Sequence, residues 1–275
     1  MTFLDNVTVL ILTYNEEANI GRTLAALARF PRVVVLDSDS TDKTSQIVAG
    51  FENATFHTRA FDQHSAQWNY GLGSCDIQSG WVLALDADYV VSRNLADEIE
   101  ALDPHPIVSG YSIAFNYCVH GRRLSSSLYP AHVVLFQRNR GRYEQHGHTQ
   151  RLVLDGRIAN LRSRIDHDDR KSLARWISGQ CRYAKLEANH VLGQPLCNLR
   201  PIDRIRRTGI WAPFVVFFYT LIWKRCIFDG WAGWLYVLQR TLAEMMITLE
   251  IVDRRMRRKS TTCATVDDNP GCEPR

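Results

Sequence analysis

Asp86 and Asp88 stand one residue apart at the end of the run WVLALDADYV. Carboxylates this close repel each other unless something positive sits between them. At i and i+2 of a strand end they can point the same way. A divalent cation with oxygen ligands is the natural partner, and carboxylates suit Mg²⁺ or Mn²⁺. Two carboxylates do not make a full cage, and Mg²⁺ usually completes its sphere with substrate phosphates. The pair therefore predicts chemistry on a phosphate-bearing substrate, and a nucleoside diphosphate would fill the sphere.

The elements that must hold this pair are legible around it. VTVLILT (7–13), RVVVLD (32–37), ATFHT (54–58) and WVLALD (81–86) read as strands, the first two and the last apolar enough to be buried on both faces. Helical stretches separate them. Asn15 is expected to cap the first, with Ile20, Leu24 and Leu27 inward. Ser40 or Thr41 is expected to cap the second, a third covers roughly 65–72, and Asn94 caps a fourth ending near Leu102. This alternation predicts a doubly wound, mostly parallel α/β sheet. Ligands of such sheets bind beyond the carboxyl ends of the strands. There the chain carries Thr13-Tyr14-Asn15-Glu16, then Asp37-Ser38-Asp39-Ser40-Thr41-Asp42, then Asp86-Ala87-Asp88. A single acidic pair is common in loops; three acidic strand ends in order are a far more specific signal.

From about Val108 the pattern changes to SGYSIAFNYCV, HGRR, LSSS and AHVVLFQR, read as antiparallel strands with a turn at Gly121. RLVLDGRIANL (151–161) carries Asp-Gly between two short runs and reads as a hairpin. Residues 171–192 read as a helix. IWAPFVVFFYTLIW (210–223) would span about 21 Å as a helix, short of the roughly 30 Å hydrocarbon core of a bilayer. After Asp229-Gly230, Trp231, Leu235, Leu238, Leu242, Met245, Leu249 and Val252 recur every three or four residues, with Gln239, Arg240, Glu244 and Asp253 opposite. That stripe is either core and dimer seam or a membrane-interfacial face.

The 275 residues have an ordinary balance, 45% hydrophobic and 23% charged, which excludes wholesale disorder. The net charge is only +4, but Arg200, Arg204, Arg206 and Arg207, and then Arg254, Arg255, Arg257, Arg258 and Lys259, lie beside the most apolar region. That pairing points to an anionic surface such as a membrane face rather than to nucleic acid. Seven scattered cysteines without a CxxC argue against a disulfide framework or zinc site and for a reducing compartment. The N-terminus has no basic region or small-residue cleavage site and reads as a first strand. The expected division is a catalytic domain over 1–200, a helical extension over 201–259, and a polar, disordered tail over 260–275.

LTYNEEANI, VVVLDSDSTDKT and GWVLALDADYVV together closely resemble family 2 glycosyltransferases of the GT-A fold. FDQHSAQWNYGL resembles the segment ahead of the family's DxD strand. HGHTQRLVLDGRIANL, IDHDDRKSLARWISGQCRYAKLEA and FDGWAGWLYVL are similar to a bacterial subgroup that builds lipopolysaccharide cores and other surface glycans. The resemblance covers about residues 5–250. It implies a GT-A sheet with an antiparallel acceptor-side region and a C-terminal helical extension. The implied activity is metal-dependent, inverting transfer of a sugar from a nucleotide-sugar donor, a UDP-sugar, to a glycan or lipid-linked acceptor. Apart from the resemblance, the cysteine usage and the basic, apolar C-terminal region read as a cytoplasmic location, peripheral on the inner face of the membrane, with contact through 204–259.

The same resemblance implies roles for individual residues. Thr13, Tyr14, Asn15, Glu16 and Asp37 would line the nucleoside, with Asp37 against the base; Gln67 and Asn69 would join the donor site. Asp86 would face ribose and metal, Asp88 would ligate the metal and serve catalysis, and His167 would close the site near diphosphate or metal. The family often carries His-Glu where this chain has His148-Thr149, so the usual carboxylate base is missing. His148 is the first choice of base, followed by His146 and Glu144. Trp68 stands where a basic residue is common, with Arg59 able to compensate.

Competing chemistries fit less of the chain. DADYV matches the DxDx[TV] pattern of haloacid dehalogenase-type phosphohydrolases, with Asp86 as nucleophile and Asp168-Asp169 holding Mg²⁺, but that fold normally opens on its DxD strand. GLGSCD has only two of the three glycines of a dinucleotide fingerprint. TYNEEAN is not the glycine-rich basic loop of a nucleotidyltransferase. A catalytically impaired glycan- or nucleotide-binding protein on the same fold remains open because of Thr149.

Overall fold

The computed structural model describes residues 2–146 and 149–264. The first half follows the expected alternation: β1 (Val7–Thr13), α1 (Ile20–Ala26), β2 (Val33–Asp37), α2 (Thr44–Val48), β3 (Ala54–Thr58), α3 (His64–Ser74), β4 (Trp81–Asp86), β5 (Tyr89–Val91) and α4 (Arg93–Glu100). The second half contains β6 (Val108–Val119), β7 (Arg122–Arg123), β8 (His132–Gln137), β9 (Gly141–His146), β10 (Thr149–Leu154) and β11 (Arg157–His167). The helices that follow are α5 (Leu173–Gly193), α6 (Pro201–Thr208), α7 (Trp211–Phe218) running into a π-helical turn Tyr219–Trp223, and α8 (Gly230–Ala264), with short 3-10 turns at Leu196–Asn198 and Cys226–Asp229.

The main sheet has the order β3-β2-β1-β4-β8-β6-β11-β5, with β7 attached to β6. The pairs β3–β2, β2–β1 and β1–β4 are parallel. β8 lies antiparallel to both β4 and β6, and β11 runs parallel to β6 but antiparallel to β5. The mixed α/β sheet matches the expected class, parallel from β3 to β4; beyond β4 it is antiparallel except for the parallel pair β6–β11, which the expected antiparallel region did not include. The apolar strands are explained by burial on both faces. Val7, Val9 and Ile11 of β1 enter one core with Leu24 and Leu83, while Leu10 enters the other with Leu36, Val82 and Phe136.

Several local expectations are corrected. Asn15 does not cap α1, which starts five residues later; it adopts a left-handed φ of 54°. There its N–H donates to Ser40 Oγ at 2.6 Å and its Oδ1 accepts from the Thr41 N–H at 2.7 Å, so it stitches two loops together. α2 begins at Thr44, whose N–H is taken by Asp42 Oδ1 at 3.0 Å, rather than at a Ser40 or Thr41 cap. Ser92, not Asn94, caps α4 by accepting from the Leu95 N–H. LSSS forms no strand; instead the Ser125 N–H and hydroxyl bond the Asp229 carboxylate.

The most consequential correction concerns 151–161. β10 and β11 do not pair with each other: β10 pairs with β9 as a separate two-stranded sheet, while β11 joins the main sheet. Asp155-Gly156 does reverse direction, with Gly156 at φ +118°. A Cβ on Gly156 would lie 2.0 Å from Ser109 Oγ, so the glycine is required by close approach to β6 as well as by φ.

The chain divides into two compact units, Met1–Lys171 with Phe228–Gly233, and Ser172–Ile227 with Trp234–Arg275. The line falls at Lys171, ahead of the expected residue 200, because α5 packs with α8: Ala184, Ala188 and Val191 meet Ile247 and Ile251. Residues 260–264, expected in the tail, continue α8; the rest of that tail lies outside the described residues.

α8 also faces the opposite way from a core stripe. Leu238, Leu242, Met245 and Leu249 are exposed, while Glu244 is buried. The reason is an ion cluster inside the second unit. The Arg206 guanidinium donates to Glu244 (2.8 and 2.5 Å), Glu187 (2.5 Å) and Asp203 (2.8 Å). A buried guanidinium must keep its carboxylates, and that fixes which side of α8 turns inward. The described cysteines Cys75, Cys118, Cys181, Cys197 and Cys226 are free.

Candidate active site

Strand register builds a rim from residues far apart in sequence. Thr13 pairs with Asp37, Asp37 with Thr58, and Leu12 with Asp86, so these strand ends lie side by side. Asp88 sits in the tight turn between β4 and β5. β11 pairs antiparallel with β5, placing His167 opposite Tyr89, and the Asp168 N–H then donates to the Asp88 carbonyl at 3.0 Å. In this way a residue 79 positions downstream reaches the acidic turn: His167 Nε2 lies 3.2 Å from Asp88 Oδ2.

His167 is no surface histidine. Its ring is walled by Tyr129, Tyr117 and Tyr89 at 4.5, 4.9 and 5.4 Å between centroids. Burial is the largest single influence and works against its charged form, but Asp88, joined by Asp86 and Asp169, reverses it and leaves the pKa raised. The reciprocal holds for Asp88: burial pushes the carboxyl up, and His167 and Lys171 more than reverse this, leaving its pKa lowered. Asp86 behaves differently. It is exposed at the end of β4, although the protein packed near its carboxyl still desolvates it. That desolvation and the neighbouring Asp88 push it up to about 6, against a hydrogen bond from Tyr89. The Tyr89 and Tyr129 hydroxyls bond to each other, tying the aromatic wall to the strand that follows the acidic turn.

A cation is already built into this rim. Lys171 Nζ lies 2.7 Å from Glu16 Oε1 and 3.6 Å from Asp169 Oδ1. Burial lowers its pKa, but Glu16 and Asp88 overcome that and raise it, so it stays charged. Sequence reasoning missed Lys171. It stands just beyond the histidine motif, and no spacing rule links it to Glu16.

The remaining predicted residues divide into those at the rim and those elsewhere. Thr13 Oγ1 donates to Asp37 Oδ1 at 2.7 Å, and Ser40 donates to Asp37 through its N–H and hydroxyl at 2.7 and 2.6 Å. Asp37 is therefore a buried hub that locks the first two loops. Tyr14 is exposed beside it. Gln67 is at the rim, donating to Ser38 Oγ at 3.0 Å and accepting from Arg59. Arg59 is itself paired with Asp62. Asn69 exchanges two hydrogen bonds, 2.8 and 2.9 Å, with the Tyr143 backbone and so fastens β9 to α3. Trp68 is buried and stacked on Tyr143 at 5.2 Å, which accounts for the absence of a basic residue there. His148 lies outside the described residues. Glu144, on β9, is paired with Arg142.

The residues present fit a divalent cation in part. Asp88 Oδ1 is buried with no hydrogen-bond partner, an acceptor left free for a ligand. Among the described residues no three His, Cys, Asp or Glu side chains are arranged to hold an ion by themselves. Asp88 and His167 thus offer a partial set that substrate oxygens must complete, with Asp86 alongside. The phosphohydrolase alternative fares worse. Asp168 is consumed by Arg22, Arg170 and the Gly121 N–H, and Asp169 by Asn19 and the Lys171 N–H.

The model of the family "Glycosyl transferase family 2" matches residues 8–162. The lipopolysaccharide core biosynthesis glycosyltransferase LpsC of Rhizobium meliloti (strain 1021) is 26% identical over 171 residues, covering 57% of this chain and 60% of that protein. An uncharacterized glycosyltransferase of Rickettsia bellii (strain RML369-C) is 34% identical over 95 residues, 34% of this chain and 31% of that one. The chain thus spans less than two thirds of these relatives. Among solved structures, S. aureus TarS 1–349 in complex with UDP aligns over 91% of both chains at 16% identity and a TM-score of 0.44. The family match spans more than half of the chain, from β1 through most of β11 and including both rim aspartates, and the chain belongs to glycosyltransferase family 2.

Proposed function

We propose that the chain transfers a sugar from a nucleoside-diphosphate sugar, a UDP-sugar, to a hydroxyl of a glycan or lipid-linked acceptor of the cell envelope. The observation carrying this is the convergence at one rim of Asp86, Asp88, His167 and Lys171, with Asp88 Oδ1 buried and unpartnered. The lipopolysaccharide-core name of the Rhizobium relative supports the acceptor class. A UDP-sugar donor goes with a cytoplasmic location, as does the set of free thiols.

Asp88 and His167, with Asp86 beside them, would hold Mg²⁺ or Mn²⁺. Such an ion supplies Lewis-acid stabilisation of the departing diphosphate, worth several kcal/mol. The protein's own groups do the rest. Lys171, held by Glu16 and Asp169, presents a fixed positive charge towards the same diphosphate. Thr13, Asn15, Asp37 and Gln67 form the nucleoside side, with Tyr14 exposed to lie along it. The acceptor oxygen bonds to the anomeric carbon as the bond to the β-phosphate oxygen breaks. The acceptor proton passes to a base, for which His148 is the candidate, and the anomeric centre inverts.

The test is UDP release from UDP-sugars with Mg²⁺ or Mn²⁺ and with EDTA. Release should require the metal. Metal-independent release, or phosphate release from a generic phosphomonoester instead, overturns the reading.

A further inference from the structure

α7 and its π-helical continuation are inside out. Trp211, Phe214, Val215, Phe218, Ile222 and Trp223 are all exposed, by 43% to 77%. They recur at the three- and four-residue spacing of one helical face. The side turned into the second unit carries the smaller Ala212, Pro213, Val216 and Thr220, all buried. A helix folded for water alone would place these two sets the other way round, and contiguous apolar surface of this kind marks a docking surface.

Charge on the same stretch identifies the occupant. Between Leu196 and Phe228 the only acid is Asp203, and it is fully buried in the Arg206 cluster. The solvent-facing charge of this segment is therefore all basic. Lys224 and Arg225 follow directly on Trp223, with the Lys224 ammonium 5.8 Å from the Tyr219 ring centroid. Tryptophans stand at both ends of the apolar face, as in segments that lie at the level of lipid headgroups. Among the described residues no single helix is long and apolar enough to cross a membrane, and the pair Trp211–Trp223 and Cys226–Arg257 is bent by 69°. At about 1.5 Å per residue, 211–223 covers roughly 20 Å, against a hydrocarbon core of about 30 Å.

We infer that this face docks in the interface of an anionic lipid bilayer, the helix lying in the membrane plane with its aromatic side chains at the acyl boundary and Lys224 and Arg225 among the headgroups. This goes beyond the transferase reading and does not depend on it. The docking side is set by α7, with the exposed stripe of α8 (Leu238, Leu242, Met245, Leu249) as a second apolar face of the same unit.

Flotation of the full chain with phosphatidylcholine vesicles, with and without phosphatidylglycerol, tests it. Binding should require the anionic lipid. Phe214→Gln with Phe218→Gln should abolish flotation while circular dichroism stays unchanged, since both side chains are exposed. Lys224→Gln with Arg225→Gln should weaken partitioning about thirty-fold, the ratio for about 1 kcal/mol from each of two basic residues. No binding to anionic vesicles overturns the inference. So does a concentration-dependent dimer that the Phe214/Phe218 variant dissolves, which would assign the face to a second copy. Resistance to an alkaline carbonate wash would mean insertion across the bilayer and overturns the interfacial placement.

Discussion

Replacing Asp88 by Asn separates the roles of shape and charge at the rim. The amide keeps the volume of the carboxylate and can still accept from the His167 Nε2–H at the observed 3.2 Å. What disappears is a full negative charge at a nearly buried position. Two opposing effects on the fold follow. The charge-assisted bond to His167 is weakened, at a cost of about 1.5–3 kcal/mol. The repulsion that helps push Asp86 up to about 6 is relieved at the same time. The terms are of similar size, so the empty variant should stay within about 2 kcal/mol of wild type. Activity has no such compensation. If the ion that Asp88 would hold supplies about 4 kcal/mol of transition-state stabilisation, its loss lowers turnover about 10³-fold. The assay is UDP release at saturating Mn²⁺, read beside the Mn²⁺-induced rise in Tm. A variant within tenfold of wild type, or one that keeps the full Mn²⁺-dependent rise, would show that Asp88 is not a required ligand.

Two further outcomes are expected. Asp86 has a folded-state pKa raised from 3.8 to about 6, so its contribution to stability is present below about pH 4 and lost as pH rises through about 6. At neutral pH the empty protein carries an unfavourable carboxylate that a cation relieves. The Mn²⁺-induced rise in Tm should therefore be large at neutral pH and shrink as pH falls through about 6, and Asp86→Asn should remove that step; a pH-independent rise counts against Asp86 as part of the cation site. Arg206→Met leaves Glu187, Asp203 and Glu244 without their central cation. It should cost about 3–5 kcal/mol in urea unfolding, and a loss under about 1 kcal/mol would mean that exposed Arg200 takes over.

What was legible in the sequence was local or periodic. Three acidic strand ends in βα order located the rim, because parallel strands of similar length end together and Thr13, Asp37 and Asp86 need no further information to align. Pairing between distant segments was not legible. Asp155-Gly156 announces a reversal, but turn chemistry does not say which strand receives the chain next, so β11 was placed beside β10 instead of β6. The meeting of His167 with Asp88, and the place of Lys171 just beyond it, depend on that unseen pairing. The stripe on α8 has a clear period, yet period alone does not say which side faces inward. The Arg206 cluster decided that, through partners on three separate helices.

The union of β11 with the three-residue strand β5 also has a temporal consequence. During synthesis β1 to β4 can assemble early, whereas β5 waits for a partner some seventy residues downstream. Contacts of such long sequence separation form late. A ribosome-bound chain ending before Ile165 would hold the parallel strands already paired, with β5 still lacking its neighbour and His167 not yet brought to Asp88. The acidic turn is thus the last part of the rim to be completed, after every strand that precedes it in the chain has had time to settle.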